Sequence, residues 1–242
     1  ILGWFAGGIA TAEYVVASRL ASLADYGRNA LKPSFLPRAR SLLVAGDRDA
    51  AMAEYESVRI VSTVIALLAT GLLVVAGHLL LKIFGDFTNA YPLILLFSGS
   101  FIVNSGFGMH NSWMAMTGEV RWLLFCRLVT MILVVSLLVS LTPRYGAVGT
   151  VTSALIGHVF ANTLGALSAW RIDGLIALHW RTGTIVASAT ACVVLTALEF
   201  IAPLVSGAVL LLCIIGLLFE DYRNKGDITA FLANLISGLR AR

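Results

Sequence analysis

Between Arg59 and Lys82 about two dozen residues, with VSTVIALLATGLLVVAGHLL at their centre, carry no charge. At 1.5 Å per residue a helix of that length matches the hydrocarbon thickness of a bilayer, so the stretch reads as a transmembrane helix. Comparable runs recur at roughly 90 to 114, 122 to 142, 147 to 170, 183 to 202 and 204 to 219. Hydrophobic residues make up 59% of the chain and charged ones 12%, and mean hydropathy is +0.90. That is more apolar surface than a water-soluble core of this size needs. The expected fold is all-α: a polytopic transmembrane helix bundle of about seven crossings plus a truncated leading helix. The chain opens on ILGWFAGGIA with no basic leader and reads as a fragment, its first residues the tail of a helix whose start is missing.

The net charge of +4 would suit nucleic acid in a soluble protein, but here the cations mark loops on one side of a membrane. With the runs taken as alternating crossings, one side collects Arg38, Arg40, Arg48, Arg59, Arg121, Arg171, Arg181, Arg223, Lys225, Arg240 and Arg242. The other side holds Lys82 and Arg144. The crowded side is expected to be cytoplasmic, the C-terminus included. Asp47 is placed to N-cap a solvated helix running through AAMAEYESVRIV into the next crossing. Beyond Glu220 the tail, ending in FLANLISGL, reads either as an amphipathic segment on the inner leaflet or as disordered. Cys126, Cys192 and Cys213 sit in apolar runs with neither metal nor disulfide spacing, so they read as small core residues.

Ionisable groups within crossings mark protein interiors or watery cavities. Segment 12 to 37 carries Glu13, Arg19, Asp25, Arg28 and Lys32, the last three sharing a helix face by their spacing. The basic stripe of Arg19, Arg28 and Lys32 is matched to an anionic substrate, since guanidinium presents a fork of donors to phosphate oxygens. The competing reading has Arg28 and Lys32 snorkelling to the interface while Asp25 neutralises one of them. Asn104, Gly108 and Asn111 form a second stripe with His110 beside it, suited either to sugar hydroxyls or to joining helices. His158 and Asn162, four apart, read as a coupling or cavity pair, or as an interhelical bond. There is no GxxxxGK[ST], HExxH or GxSxG motif, and no paired cysteines. The expectation is therefore a protein that is not an enzyme, with no cofactor and no metal.

Three stretches resemble one family. ILGWFAG at 1 to 7 with AEYVVASRLA at 12 to 21, continuing to Leu36-Pro37 and Ala45-Gly46-Asp47, looks like an entry into a second lobe. Met116-Thr117-Gly118-Glu119-Val120-Arg121 is similar to a short cytoplasmic turn, and PRYGAVG at 143 to 149 to an outer turn. Together they resemble the polysaccharide-exporting flippases of the multidrug/oligosaccharidyl-lipid/polysaccharide superfamily. The resemblance implies the second lobe of a two-lobe, alternating-access transporter. It divides the chain into that lobe at 1 to 171, two additional C-terminal helices at 172 to 220 and a cytoplasmic tail at 221 to 242. It further implies a multi-pass protein of the bacterial inner membrane that moves an undecaprenyl-pyrophosphate-linked glycan for cell-surface polysaccharide (lipopolysaccharide) biosynthesis. Its partners would be that lipid-linked glycan, membrane lipid and the missing N-terminal lobe, with no nucleic acid. Arg19, Arg28, Lys32, Asn104 and Asn111 are the substrate candidates. A cation-coupled multidrug exporter of the superfamily, or a membrane-embedded glycan polymerase or ligase, stands as the alternative.

Overall fold

The structure is a computed structural model that describes residues 2–83 and 87–223. The tail beyond Arg223, including the FLANLISGL segment, lies outside the described residues. All regular structure among them is helical: α1 (Leu2–Ala21), α2 (Leu23–Val44), α3 (Arg48–Ile83), α4 (Tyr91–Gly106), α5 (His110–Met116), α6 (Val120–Asp173), α7 (Trp180–Ala197) and α8 (Pro203–Arg223), with a single 3₁₀ turn at Thr88–Ala90.

The all-α expectation meets this architecture, but the expected seven crossings do not. Three helices are long and apolar enough to cross a membrane, α3, α6 and α8, or four if α4 and α5, bent 41° against each other, form one broken span. The physical reasons lie in continuity and polarity, which apolar-run counting ignores. α1 is interrupted at Gly7 (φ 79°) and carries Glu13 and Arg19. α7 opens on Trp180-Arg181 and has threonines at 182, 184, 190 and 196 within its 18 residues. The two runs expected as separate crossings at 122 to 142 and 147 to 170 are arms of one 54-residue element that turns back at Gly146 (φ 57°). Its arms pair across the turn: Thr142 Oγ1 lies 3.1 Å from Thr150 Oγ1, and Cys126 Sγ lies 3.4 Å from Ser168 Oγ. The turn needs glycine twice. Gly146 occupies the left-handed region, and a Cβ on Gly149 would stand 2.4 Å from the Leu141 carbonyl oxygen.

Between α2 and α3 the chain turns at Gly46 (φ 80°), and Asp47 Oδ1 accepts the Ala50 N–H at 3.0 Å. This is the N-cap expected from the sequence. The helix it starts is not a solvated extension, however: Ala51, Tyr55, Val58 and Arg59 are buried.

Two apolar cores result. The larger gathers Leu73 and Val74 of α3, Ile94, Leu95 and Ile102 of α4, Val193 of α7 and Leu217 of α8. The smaller joins Phe35 of α2, Tyr55 of α3, Trp113 and Met114 of α5 and Ala169 of α6. Its aromatic rings run edge to face, Phe35 to Tyr55 at 6.3 Å and Tyr55 to Trp113 at 6.0 Å. The cores hold α2, the α4–α5 break and the ends of α6 and α7 together at one end of the bundle, where the polar residues collect.

Candidate functional site

Asp25 stands in the first turn of α2, where the helix dipole favours an anion. One turn on, Arg28 Nε donates to Asp25 Oδ1 at 3.1 Å. Asn104 reaches the same pair from α4: Arg28 Nη1 donates to Asn104 Oδ1 at 3.3 Å, and Asn104 Nδ2 donates to Asp25 Oδ1 at 3.4 Å. Asn29 Nδ2 completes the acid's partners at 2.8 Å. Arg28 and Asn104 are thus brought together, and Asp25 compensates the guanidinium. The amide of Asn104 joins α4 to α2.

The other expected residues scatter. Arg19 is exposed on α1 and makes no ion pair among the described residues. Asn111 is half-buried on α5 and packs against Gly165 of α6. Asn162 is buried and donates its Nδ2–H to the His158 carbonyl at 2.7 Å, so the two are linked through the backbone of their own helix. The His158 ring leans on Phe101 at 6.4 Å, and its Nδ1 is buried without a partner among the described residues. Asp25, Arg28 and Arg127 all lie within electrostatic range of it. Arg127, exposed on α6 inside a run read as a crossing, is a cation the sequence reading passed over.

Lys32 belongs to a different feature. With Leu36, Pro37 and Arg40 of α2 and Ser112, Ala115 and Met116 of α5 it lines an open groove of about 660 Å³. Lys32 and Arg40 are both exposed and are the charged members of that lining. Nearby, Arg38 pairs with Glu54 at 3.4 Å and Arg48 with Asp173 at 3.5 Å. Arg40 has no acid partner among the described residues. In this groove two cations share one lining with apolar surface and no acid.

Below it lies the strongest feature missed in the sequence. Arg59 is buried to 1% exposure. Its Nε donates to Glu56 Oε2 at 3.0 Å, and its Nη2 pairs with Glu56 Oε1. Nη2 also donates to Thr182 Oγ1 of α7 at 3.3 Å, and Nη1 reaches the Gly106 carbonyl at 3.5 Å. Thr182 in turn donates to Glu220 Oε2 of α8 at 3.4 Å. One guanidinium therefore ties four helices. It sits at the C-terminal end of α4, where a helix presents unpaired carbonyls and the negative end of its dipole. Tyr55 Oη donates to the next carbonyl, Phe107, at 2.7 Å. Gly108 (φ 66°) makes the break between α4 and α5 with its Cα side against these two residues: a Cβ there would stand 2.9 Å from Tyr55 Oη. Arg59 and Tyr55 hold the broken backbone in the way a bound cation or water would. The signal available in the sequence was Gly106-Phe107-Gly108 in mid-run, which marks a break but not what caps it.

Among the described residues no group of three or more His, Cys, Asp or Glu side chains is placed to hold a metal ion. No family model, curated protein or solved structure matches the chain. The resemblance read from three short motifs therefore gains no relative to support it. The expected lipid-linked oligosaccharide flippase is overturned, together with its exporter and polymerase or ligase alternatives and the link to polysaccharide biosynthesis. Three or at most four membrane-length helices do not make the many-crossing lobe that the transporter reading required, and none of the comparisons links the chain to that activity.

Proposed function

We propose that this chain is a multi-pass integral membrane protein that makes and breaks no covalent bond and holds an anionic lipid headgroup in the groove between α2 and α5. The observation that carries the reading is the groove's charge: Lys32 and Arg40 face it with no acid in the lining, over a floor of Leu36, Pro37, Ala115 and Met116. Guanidinium and ammonium supply donors to phosphate oxygens, Ser112 adds a hydroxyl, and the apolar floor suits the glycerol and upper acyl carbons. The orientation follows from the same end of the bundle. Arg38, Arg40, Arg48 and Arg59 gather there, and Lys82 and Arg144 lie at the other, which supports the groove's end facing the cytoplasm.

The experiment is thermal unfolding of the chain in neutral detergent with phosphatidylglycerol or phosphatidylcholine added. A ligand at 100 times its Kd stabilises by about 2.7 kcal/mol. Phosphatidylglycerol is expected to raise the midpoint by several degrees and phosphatidylcholine to leave it in place. The Lys32→Gln/Arg40→Gln double variant is expected to lose the difference. An equal shift for the two lipids, or an undiminished shift in the double variant, removes the reading.

A further inference from the structure

At the opposite end of the bundle a pocket of about 510 Å³ opens between α3, the start of α4 and the α7–α8 turn, and Glu199 is the charged residue of its lining. α7 ends there in a two-bond motif: the Glu199 N–H donates to the Thr196 carbonyl at 3.0 Å and the Phe200 N–H to the Leu195 carbonyl at 2.9 Å. That motif requires a left-handed residue at the position after the C-cap, and glycine is its ordinary occupant. Here it is Glu199, at φ 63°. The six other positive-φ positions among the described residues, Gly7, Gly46, Gly108, Gly118, Gly146 and Gly174, are all glycine. A side chain kept where the rest of the chain uses none points to a role for that side chain.

The surroundings fix what the carboxylate meets. The Tyr91 and His78 rings stack at 3.8 Å along one wall, and Asn89 stands beside them. Tyr91 Oη is occupied by the Val74 carbonyl at 2.7 Å, so the wall offers aromatic faces, the imidazole and an amide. Leu198, Phe200 and Leu204, flanking Glu199, are 52%, 77% and 77% exposed, and Leu79 beside His78 is 65% exposed. Apolar side chains this exposed on both sides of a polar pocket set it at the boundary between hydrocarbon and headgroups. Lys82 lies one helical turn beyond His78 on the same side of α3.

The geometry points to a binding site for a lipid with a primary-ammonium headgroup. The ammonium donates to the Glu199 carboxylate beside the aromatic wall, and the phosphate that follows it meets the donors of Asn89, His78 and Lys82. Its charge is the reverse of the Lys32–Arg40 groove, and the site is independent of that reading.

The test measures lipid retention by native mass spectrometry, with thermal unfolding in parallel, on the 242-residue chain in neutral detergent with phosphatidylethanolamine, phosphatidylcholine, phosphatidylglycerol or free ethanolamine. Phosphatidylethanolamine is expected to bind wild type at least ten-fold more tightly than phosphatidylcholine, whose quaternary nitrogen has no hydrogen to donate. Glu199→Gly is expected to weaken that binding at least ten-fold while its unfolding midpoint stays level or rises, because glycine suits the left-handed turn. Glu199→Gln should lose the ligand in the same way, and it decides the matter should the glycine variant fold poorly. Undiminished phosphatidylethanolamine binding in both variants, or an equal loss of phosphatidylglycerol binding in them, overturns the site. Displacement by free ethanolamine at equal concentration overturns the lipid as its occupant.

Discussion

Removing the Arg59 side chain should cost the chain about 3 kcal/mol of stability. Arg59→Ala strips the buried Gly106 carbonyl and the Thr182 hydroxyl of a donor, and an unmet buried polar group costs about 1–3 kcal/mol. The bond to Gly106 is long at 3.5 Å, which places its share at the low end. A void of roughly 100 Å³ at about 24 cal/mol per Å³ adds ~2 kcal/mol. Against these stands the relief of no longer desolvating a guanidinium. Glu56, 32% exposed, can be hydrated once its partner is gone, so it adds little. Arg59→Met fills most of the void but still leaves the Gly106 carbonyl unmet, and should cost about half as much. The assay is reversible unfolding in mixed micelles of rising sodium dodecyl sulfate fraction, followed by far-ultraviolet circular dichroism. Labelling of Cys192 and Cys213, both buried in the helices that Arg59 ties, serves as a local reporter. An alanine variant within about 1 kcal/mol of wild type would refute the claim that this guanidinium holds the four helices. Equal losses for alanine and methionine would refute the void contribution.

Gly108→Ala and Gly118→Ala share a left-handed φ, 66° and 91°, but a Cβ at 108 meets Tyr55 and Arg59 whereas one at 118 meets nothing. Both should lower the unfolding midpoint, with Gly118→Ala costing about 1 kcal/mol and Gly108→Ala about 2–3 kcal/mol; equal losses would mean the break is not tightly packed. Asp25→Asn removes the compensating charge from Arg28 and should cost about 1–2 kcal/mol, while Asn104→Ala should cost about 1 kcal/mol, both read by the same unfolding titration. Their double variant should lose less than the sum, since the two side chains share one network; strict additivity would show that Asn104 does not reach the pair. Gly149→Ala drives a Cβ into the Leu141 carbonyl and should open the α6 turn, measured as faster maleimide labelling of Cys126.

Much of the local structure was legible because its causes are local. The Asp47 cap, the turn at Gly46 and the reversal at 143 to 149 each rest on residues within a few positions of one another. The site was legible only in part. Asp25 and Arg28 share a face by their spacing, but the Asn104 that completes them is 79 residues from Asp25. Arg59 is grouped with loop cations by charge alone, yet its partner Thr182 lies 123 residues away, and nothing near Arg59 announces that contact. The number of crossings was misjudged for a related reason. An apolar run records the sum of side-chain hydropathies, whereas a span also needs unbroken length: Gly108 breaks the run at 90 to 114, and the runs at 122 to 142 and 147 to 170 are joined through Gly146 into one element.

The reversal at Gly146 carries a consequence for how the molecule is made. Its first link, Thr142 to Thr150, closes a loop of 8 residues, and its last, Cys126 to Ser168, one of 42. Pairing can start at the tip and proceed outward like a zip, each step closing only a little more chain than the one before. The two arms can therefore be in place against each other while α7 and α8 are still being synthesised. α7 and α8 then dock on α4 and α3, which are made earlier still, and Thr182 and Glu220 are the last to reach the buried guanidinium on α3.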